Sequence, residues 1–176
     1  MSDLDVLVVD ASVLAAVAFG EARADEGVAL LRGSRLVAPG LLWYEMSEVA
    51  RTKCLARSAE AEAILEQLEA ARRLPINLRS PDWETITQLA LDTGLTAYDA
   101  AYLSLAQSLR APLATFDRRL GDVAGRVMSA LMAPDDDVGG LGTRLHERFV
   151  EADTFDLDLP ARSAPRAAPD FSDPRG

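Results

Sequence analysis

Residues 5–18, DVLVVDASVLAAVA, join a short apolar run, an aspartate and an alanine-rich stretch without an intervening loop. The run Val6–Val9 is typical of a buried parallel strand. Asp10 follows it directly, and a helical pattern begins at Ala11. Ligands of open α/β sheets bind outside the carboxyl ends of the strands, so Asp10 is a candidate site residue. Capping of the following helix is its alternative role.

The alternation of short apolar runs with longer helical patterns continues to about residue 132. Further strands are predicted at 36–38, 75–78 and 112–116. This rhythm is typical of an α/β domain with a central parallel sheet, and we assign it to residues 1–132.

Helix boundaries between these strands are predicted from capping residues. Ser80 is a candidate N-cap, with Gly94 where its helix should end. Ser58 is a candidate cap for a helix running to about Arg73, and Pro39 is expected to open a helix that carries Glu45.

Residues 133–176 differ from the rest of the chain. They hold five of the nine prolines, ten of the 28 acidic residues and five of the 18 basic residues. This composition predicts an acidic, partly disordered C-terminal extension. The spacing of Leu141, Leu145 and Phe149 predicts one short amphipathic helix within it, over 141–152.

The chain of 176 residues has a formal net charge of -10, which argues against nucleic-acid binding through a broad basic surface. Cys54 and His146 are the only residues of their types, so disulfides and the usual zinc sites are excluded. A reducing, cytoplasmic location is therefore expected. Acidic residues at the N-terminus, with Asp10 interrupting the apolar run, predict neither a signal peptide nor a membrane span.

Asp99 lies in GLTAYDAAYLSLA, residues 94–106, on a predicted helix that is apolar nearly all round. Helical spacing puts it on one stripe with Tyr102 and Leu103. A carboxylate there is costly unless it is compensated, and no lysine or arginine lies between Gly94 and Leu109. This favours a functional role, with a capping box to Thr96 as the alternative.

Two further acids fit the same site. Glu45 flanks the apolar stripe of its helix, where a solvated position is an equal alternative. Asp117 follows the strand pattern LATF in the way that Asp10 follows its strand, and helix capping is again the alternative.

Several carboxylates at one sheet edge without a basic partner are typical of sites for Mg²⁺ or Mn²⁺. A divalent ion held near a phosphodiester can activate water and stabilise the leaving oxygen, so phosphodiester hydrolysis is the predicted reaction. Other acid-centred α/β enzymes fit less well. Ser12 stands where dehalogenase-like phosphatases need a second aspartate, and the only lysine, Lys53, is too early for a receiver domain.

Four stretches, in order, resemble the motifs of PIN-domain ribonucleases, in particular the VapC-type toxins of toxin-antitoxin systems. These stretches are VVDASVLAA (8–16), APGLLWYEMSEVAR (38–51), GLTAYDAAYLSLA (94–106) and ATFDRRL (114–120). The resemblance covers about residues 4–132 and implies a three-layer α/β/α domain.

The resemblance implies an acidic quartet, Asp10, Glu45, Asp99 and Asp117, that is catalytic and holds one or two Mg²⁺ ions, with Mn²⁺ as the alternative. Ser12 and Thr115 match small polar positions that steady such a site, and Tyr102 is interpreted as core packing. The chain departs from the pattern at Glu48, where many relatives carry a small polar residue. RNA as substrate, a homodimer and a cognate antitoxin protein are also implied.

Basic residues near the acids are candidates for RNA contacts. Arg118 and Arg119 follow Asp117, and Arg51 lies one and a half turns beyond Glu45; solvated arginines are the alternative. The sequence thus predicts a metal-dependent endoribonuclease that acts as a toxin in a homodimer. A housekeeping RNA-processing nuclease and a non-catalytic binding module are the alternatives.

Overall fold

The structure is a computed structural model that describes residues 5–132. The predicted extension at 133–176, with its helix over 141–152, lies outside these residues. Four strands form one parallel sheet: β1 (Val6–Val9), β2 (Arg35–Pro39), β3 (Asn77–Arg79) and β4 (Leu113–Ala114). Their order across the sheet is β3-β2-β1-β4. The predicted α/β class with a parallel sheet is confirmed.

Seven α-helices surround the sheet within the described range. The first four are α1 (Ala11–Ala18), α2 (Ala24–Leu31), α3 (Leu42–Ala56) and α4 (Ala61–Arg72). The last three are α5 (Trp83–Thr93), α6 (Ala97–Leu109) and α7 (Arg118–Met132). Helices α1, α3 and α4 contact one another, and α6 contacts α5, α7 and the sheet. This gives the α/β/α layers implied by the resemblance.

Two apolar clusters hold these layers together. The first, called here the sheet core, contains the inner strands and fully buried side chains such as Leu14, Met46 and Tyr102. The second joins α5, α6 and α7 through Leu103 and Leu120. Seven consecutive residues of α6, from Ala100 to Ala106, are buried, which agrees with its apolar sequence. Helix α6 is therefore shared by both cores, and it fixes the position of Asp99.

Helix boundaries differ from the sequence prediction in three places. Asp82, rather than Ser80, caps α5, because its carboxylate accepts the Thr85 N–H at 2.8 Å. Ser58 begins a short 3-10 turn, Ser58–Glu60, before α4 starts. Pro39 ends β2, and α3 begins only at Leu42.

The predicted end of α5 at Gly94 is confirmed. This glycine has a φ of 67°, a left-handed conformation that costs other residues free energy. None of the helices within residues 5–132 has the length and apolar character needed to span a lipid bilayer.

Candidate active site

Asp10 lies at the carboxyl end of β1, where the polypeptide turns directly into α1. Its φ and ψ of -85° and 154° are those of an N-cap, and its side chain accepts the Ser12 N–H at 3.4 Å. The capping role is therefore real, but it is not the whole role. Only 6% of the residue is exposed, and its carboxylate receives a further hydrogen bond from Thr115, which follows the neighbouring strand β4.

The pairing of β1 with β4 places Thr115 beside Asp10. Val9 is opposite Ala114, and the Asp10 N–H donates to the Ala114 carbonyl at 3.0 Å. The next residue, Thr115, donates its hydroxyl to Asp10 Oδ2 at 2.8 Å. The parallel pairing of β1 with β4 thus places two side chains side by side that are far apart in the sequence.

Ser12 completes this network. Its hydroxyl donates to Asp10 Oδ2 at 2.5 Å and accepts the Phe116 N–H at 2.9 Å. The Asp117 N–H in turn donates to the Thr115 hydroxyl at 3.0 Å. All the donors from the described residues meet on Oδ2, so Oδ1 keeps its lone pairs for another partner. Ser12 and Thr115 thus hold Asp10 in one orientation.

Glu45 reaches the same edge from the first turn of α3. Its Oε2 accepts a hydrogen bond of 2.5 Å from the hydroxyl of Tyr102, which lies on α6. Burial raises the pKa of the Glu45 carboxyl, the Tyr102 hydroxyl opposes this, and the charges of Asp10 and Asp99 raise it further. The charges of both aspartates therefore act on the Glu45 carboxyl.

Asp99 approaches from the start of α6 and is half-buried. Its backbone N–H donates to the Thr96 hydroxyl at 3.2 Å, and that hydroxyl donates to Asp99 Oδ2 at 2.7 Å. Local capping therefore engages one carboxylate oxygen. As at Asp10, the described residues leave the other oxygen without a donor.

The sheet edge thus carries negative charge that the described residues do not neutralise. Among residues 5–132, no salt bridge involves Asp10, Glu45 or Asp99. Nor does that range contain any group of three or more acidic, histidine or cysteine side chains arranged so that they could hold a metal ion. Mg²⁺ does not require such a cage, because it keeps several waters and is bound through one or two carboxylates and substrate phosphates. The all-oxygen donor set fits a hard divalent cation.

Comparison with known proteins shows the family of this domain. The family described as PIN domain matches residues 7–126, well over half of the chain. The chain belongs to the PIN-domain family. It is also 35% identical over 122 residues to Ribonuclease VapC3 from Pyrobaculum aerophilum. This alignment covers 66% of this chain and 92% of that protein. The resemblance to PIN-domain ribonucleases of the VapC type is confirmed.

A solved structure supports the fold of this PIN domain. The crystal structure of PAE2754 from Pyrobaculum aerophilum aligns with a TM-score of 0.57 and 24% identity. The alignment covers 74% of this chain and 98% of the other. At this identity the likeness concerns the fold alone.

Asp117 occupies a different position from the other three acids of the PIN domain. It is exposed at the start of α7, and its Oδ1 accepts the Leu120 N–H at 2.8 Å. The capping role expected as an alternative is therefore present. Its backbone is tied to the site, because its N–H donates to the Thr115 hydroxyl. Asp10 and Asp99 thus lie near enough to Glu45 for their charges to act on it, whereas Asp117 is exposed.

The three arginines predicted as RNA contacts have different surroundings. Arg51 forms an exposed salt bridge of 2.9 Å with Glu48, so the unusual acid of the second motif is paired on the surface of α3. Arg119 donates to the carbonyl of Gly94, at the turn between α5 and α6. Arg118 is exposed beside Asp117. Arg118 is thus the one of the three for which the described residues provide no partner.

The role of the Tyr102 hydroxyl was not predicted. Its ring is fully buried in the sheet core, as expected, but its hydroxyl also holds Glu45. Burial raises the pKa of Tyr102, and the Glu45 carboxylate raises it further, so the hydroxyl stays protonated and donates. A tyrosine on an otherwise apolar helix stripe is the sequence signal for such a bond, but it does not identify the acceptor.

Proposed function

We propose that this PIN domain is a metal-dependent endoribonuclease that hydrolyses RNA phosphodiester bonds. One observation carries the proposal: the charges of Asp10 and Asp99 both act on Glu45 at the carboxyl edge of the sheet, and no salt bridge among the described residues compensates the three carboxylates. Family membership and the likeness to a protein named as a ribonuclease support RNA as substrate.

Asp10, Glu45 and Asp99 would hold a divalent ion, and Asp117 would complete the quartet from the rim. Mg²⁺ is the proposed ion, with Mn²⁺ as the alternative. Such an ion lowers the pKa of water and offsets charge on the phosphate. The protein contributes orientation: Ser12 and Thr115 fix Asp10, and Tyr102 fixes Glu45.

Removal of one carboxylate tests the mechanism. Asp99→Asn keeps the shape of the residue and an oxygen that can accept the Thr96 hydroxyl, but it removes a charge needed by the metal. We expect loss of RNA cleavage with unchanged circular dichroism, and the same loss for wild-type protein in EDTA. Asp122→Asn, an exposed position on α7, is the matched control and should cleave normally. Full activity of Asp99→Asn, or cleavage in EDTA, would contradict the mechanism.

We further propose that the nuclease is the toxin of a toxin-antitoxin pair and acts as a homodimer in the cytoplasm. The likeness to a VapC protein supports this over a housekeeping nuclease. Large apolar side chains also stay exposed, among them Tyr44 at 81%, Trp83 at 71% and Leu91 at 74%, and these are suited to covering by a protein partner.

Expression in a host cell separates a toxin from a housekeeping enzyme. We expect induced wild-type protein to arrest growth, and Asp10→Asn to relieve the arrest at equal protein levels. Normal growth with active wild-type enzyme would favour the housekeeping role. Growth arrest that persists with Asp10→Asn would separate toxicity from RNA cleavage.

A further inference from the structure

Arg23 lies over an aromatic ring at the rim of the acidic site. Its guanidinium carbon is 3.7 Å from the centroid of the Phe116 ring, the distance of a close cation–π stack. Arg23 precedes α2, whereas Phe116 follows β4. The contact therefore joins the segment between α1 and α2 to the segment between β4 and α7. Neither residue belongs to the predicted quartet.

Phe116 has a fixed position relative to the carboxylates. It stands between Thr115, which donates to Asp10, and Asp117. Its own N–H donates to the Ser12 hydroxyl, which also donates to Asp10. The ring packs against the sheet core, and Arg23 covers it. The arginine is thus placed beside the site by a ring whose backbone belongs to the Asp10 network.

Glu26 fixes the edge of the same guanidinium. Arg23 Nε and Nη2 donate to the two carboxylate oxygens of Glu26 at 2.8 and 2.6 Å. With one face on Phe116 and one edge on Glu26, the group is held in orientation before any ligand binds. The Arg23 side chain is still 50% exposed, so the face opposite the ring is open.

We propose that this open face of Arg23 stacks an unpaired RNA base next to the cleaved bond. The inference rests on the proposed ribonuclease function. Guanidinium planes stack on unpaired bases. Phosphate binding is the weaker alternative, because Glu26 takes the bidentate edge and neutralises the charge that a phosphate would need. Arg23 and Phe116 would then help to set which nucleotide occupies the position beside the carboxylates.

Arginine variants separate a stacking role from a charge role. The probe is a labelled synthetic single-stranded RNA that the wild-type protein cleaves at a mapped bond in Mg²⁺. Arg23→Ala and Arg23→Lys should both raise KM by about tenfold, with kcat little changed, since lysine keeps the charge but has no plane. Phe116→Leu keeps apolar packing and should raise KM to a smaller extent. Arg32→Ala, at the other end of α2, is the matched control and should behave as wild type.

Abasic substitutions in the RNA identify the stacked base. Nucleotides flanking the cleaved bond are replaced one at a time by abasic residues. One substitution should raise the wild-type KM by about tenfold and have almost no further effect on Arg23→Ala, because the two changes remove the same contact. Arg23→Lys provides the same comparison if the alanine variant folds poorly.

Three results would overturn the inference. They are an unchanged KM in Arg23→Ala, a normal KM in Arg23→Lys, and abasic effects that are equal in wild type and variant. A normal KM in Arg23→Lys, with a salt slope reduced by about 0.7 in Arg23→Ala, would identify a phosphate contact instead. Absence of any metal-dependent cleavage by wild-type protein would refute the proposed function itself, a result distinct from all of these.

Discussion

The Tyr102 hydroxyl donates a hydrogen bond to Glu45 across 57 sequence positions, at an oxygen-to-oxygen distance of 2.5 Å. The tyrosine is fully buried, whereas the glutamate is half-buried and its pKa is raised by the charges of two aspartates. The bond therefore favours the ionised form of a carboxyl whose surroundings disfavour it. In this way a residue of the sheet core lowers the pKa of a site carboxyl that burial raises.

Tyr102→Phe should shift the pH dependence of RNA cleavage. Removal of the hydroxyl abolishes the interaction that lowers the pKa of Glu45, so that pKa rises further. If ionised Glu45 is needed, the acidic limb of the pH–rate profile moves to higher pH, and activity recovers in alkaline buffer. Tyr98→Phe, at an exposed position of α6, should leave the profile unchanged. Equal profiles for both variants would show that the Tyr102 hydroxyl has no such role.

Asp99→Asn should stabilise the protein without metal and abolish its stabilisation by metal. Because Asp99 raises the pKa of Glu45, its neutralisation relieves repulsion and should increase Tm in EDTA by about 2–4 °C for each kcal/mol gained. Saturating Mg²⁺ or Mn²⁺ should raise the wild-type Tm, since a ligand at a hundred times its Kd stabilises by about 2.7 kcal/mol. Scanning calorimetry with and without metal measures both effects. An equal metal-induced shift in the variant would place the ion elsewhere.

Thr115→Val should weaken both stability and cleavage. The substitution keeps the shape of the side chain but removes the donor to Asp10 and the acceptor for the Asp117 N–H. We expect a loss of about 1–3 kcal/mol in the free energy of unfolding. Urea titration measures this loss, and Thr87→Val on the exposed face of α5 is the control. Ser12→Ala combined with Thr115→Val should be non-additive, because both hydroxyls donate to Asp10 Oδ2.

Asp82→Ala should destabilise the protein more at neutral than at acid pH. Hydrogen bonds from the Thr85 backbone and side chain lower the pKa of Asp82 in the folded state. The stabilisation of the folded state by ionised Asp82 is therefore complete above the pKa of an unfolded aspartate, near 4. It is lost as the pH falls through the lower pKa of Asp82 in the folded state. Urea midpoints of wild type and variant should converge at low pH. Asp82→Asn keeps an uncharged cap and should lose this pH dependence, whereas Ser80→Ala should have little effect if Asp82 is the cap.

The sequence predicted the backbone positions of the acids better than their surroundings. A strand pattern that ends at Asp10 is a local property, and β1 occupies Val6–Val9 as expected. The N-cap of α5 was harder to predict, because Ser80 and Asp82 both have side chains that can cap a helix. Which of them does so depends on where the polypeptide leaves β3. Local capping preferences do not contain that information.

Side-chain partners were the least predictable part of the site. Arg51 and Arg119 were candidates for RNA binding from proximity in sequence, but the first pairs with Glu48 and the second bonds to the Gly94 carbonyl. Arg23, which is 93 positions from Phe116, gave no signal. Such contacts depend on tertiary distances, and a single sequence specifies these only through the complete fold.

The shortness of β4 has a consequence for the folding of the domain. Only Leu113 and Ala114 pair with β1, so backbone hydrogen bonds alone hold β4 weakly to the sheet. The bonds from Thr115 to Asp10 and from Phe116 to Ser12 follow immediately, and they close chain segments of 105 and 104 positions. The polar contacts that orient Asp10 therefore also fasten the last strand to the sheet. Local opening of β4 would break the hydrogen bonds that orient Asp10. Amide hydrogen exchange at Phe116 and Asp117 therefore reports on the opening of the strand and on the loss of the site together.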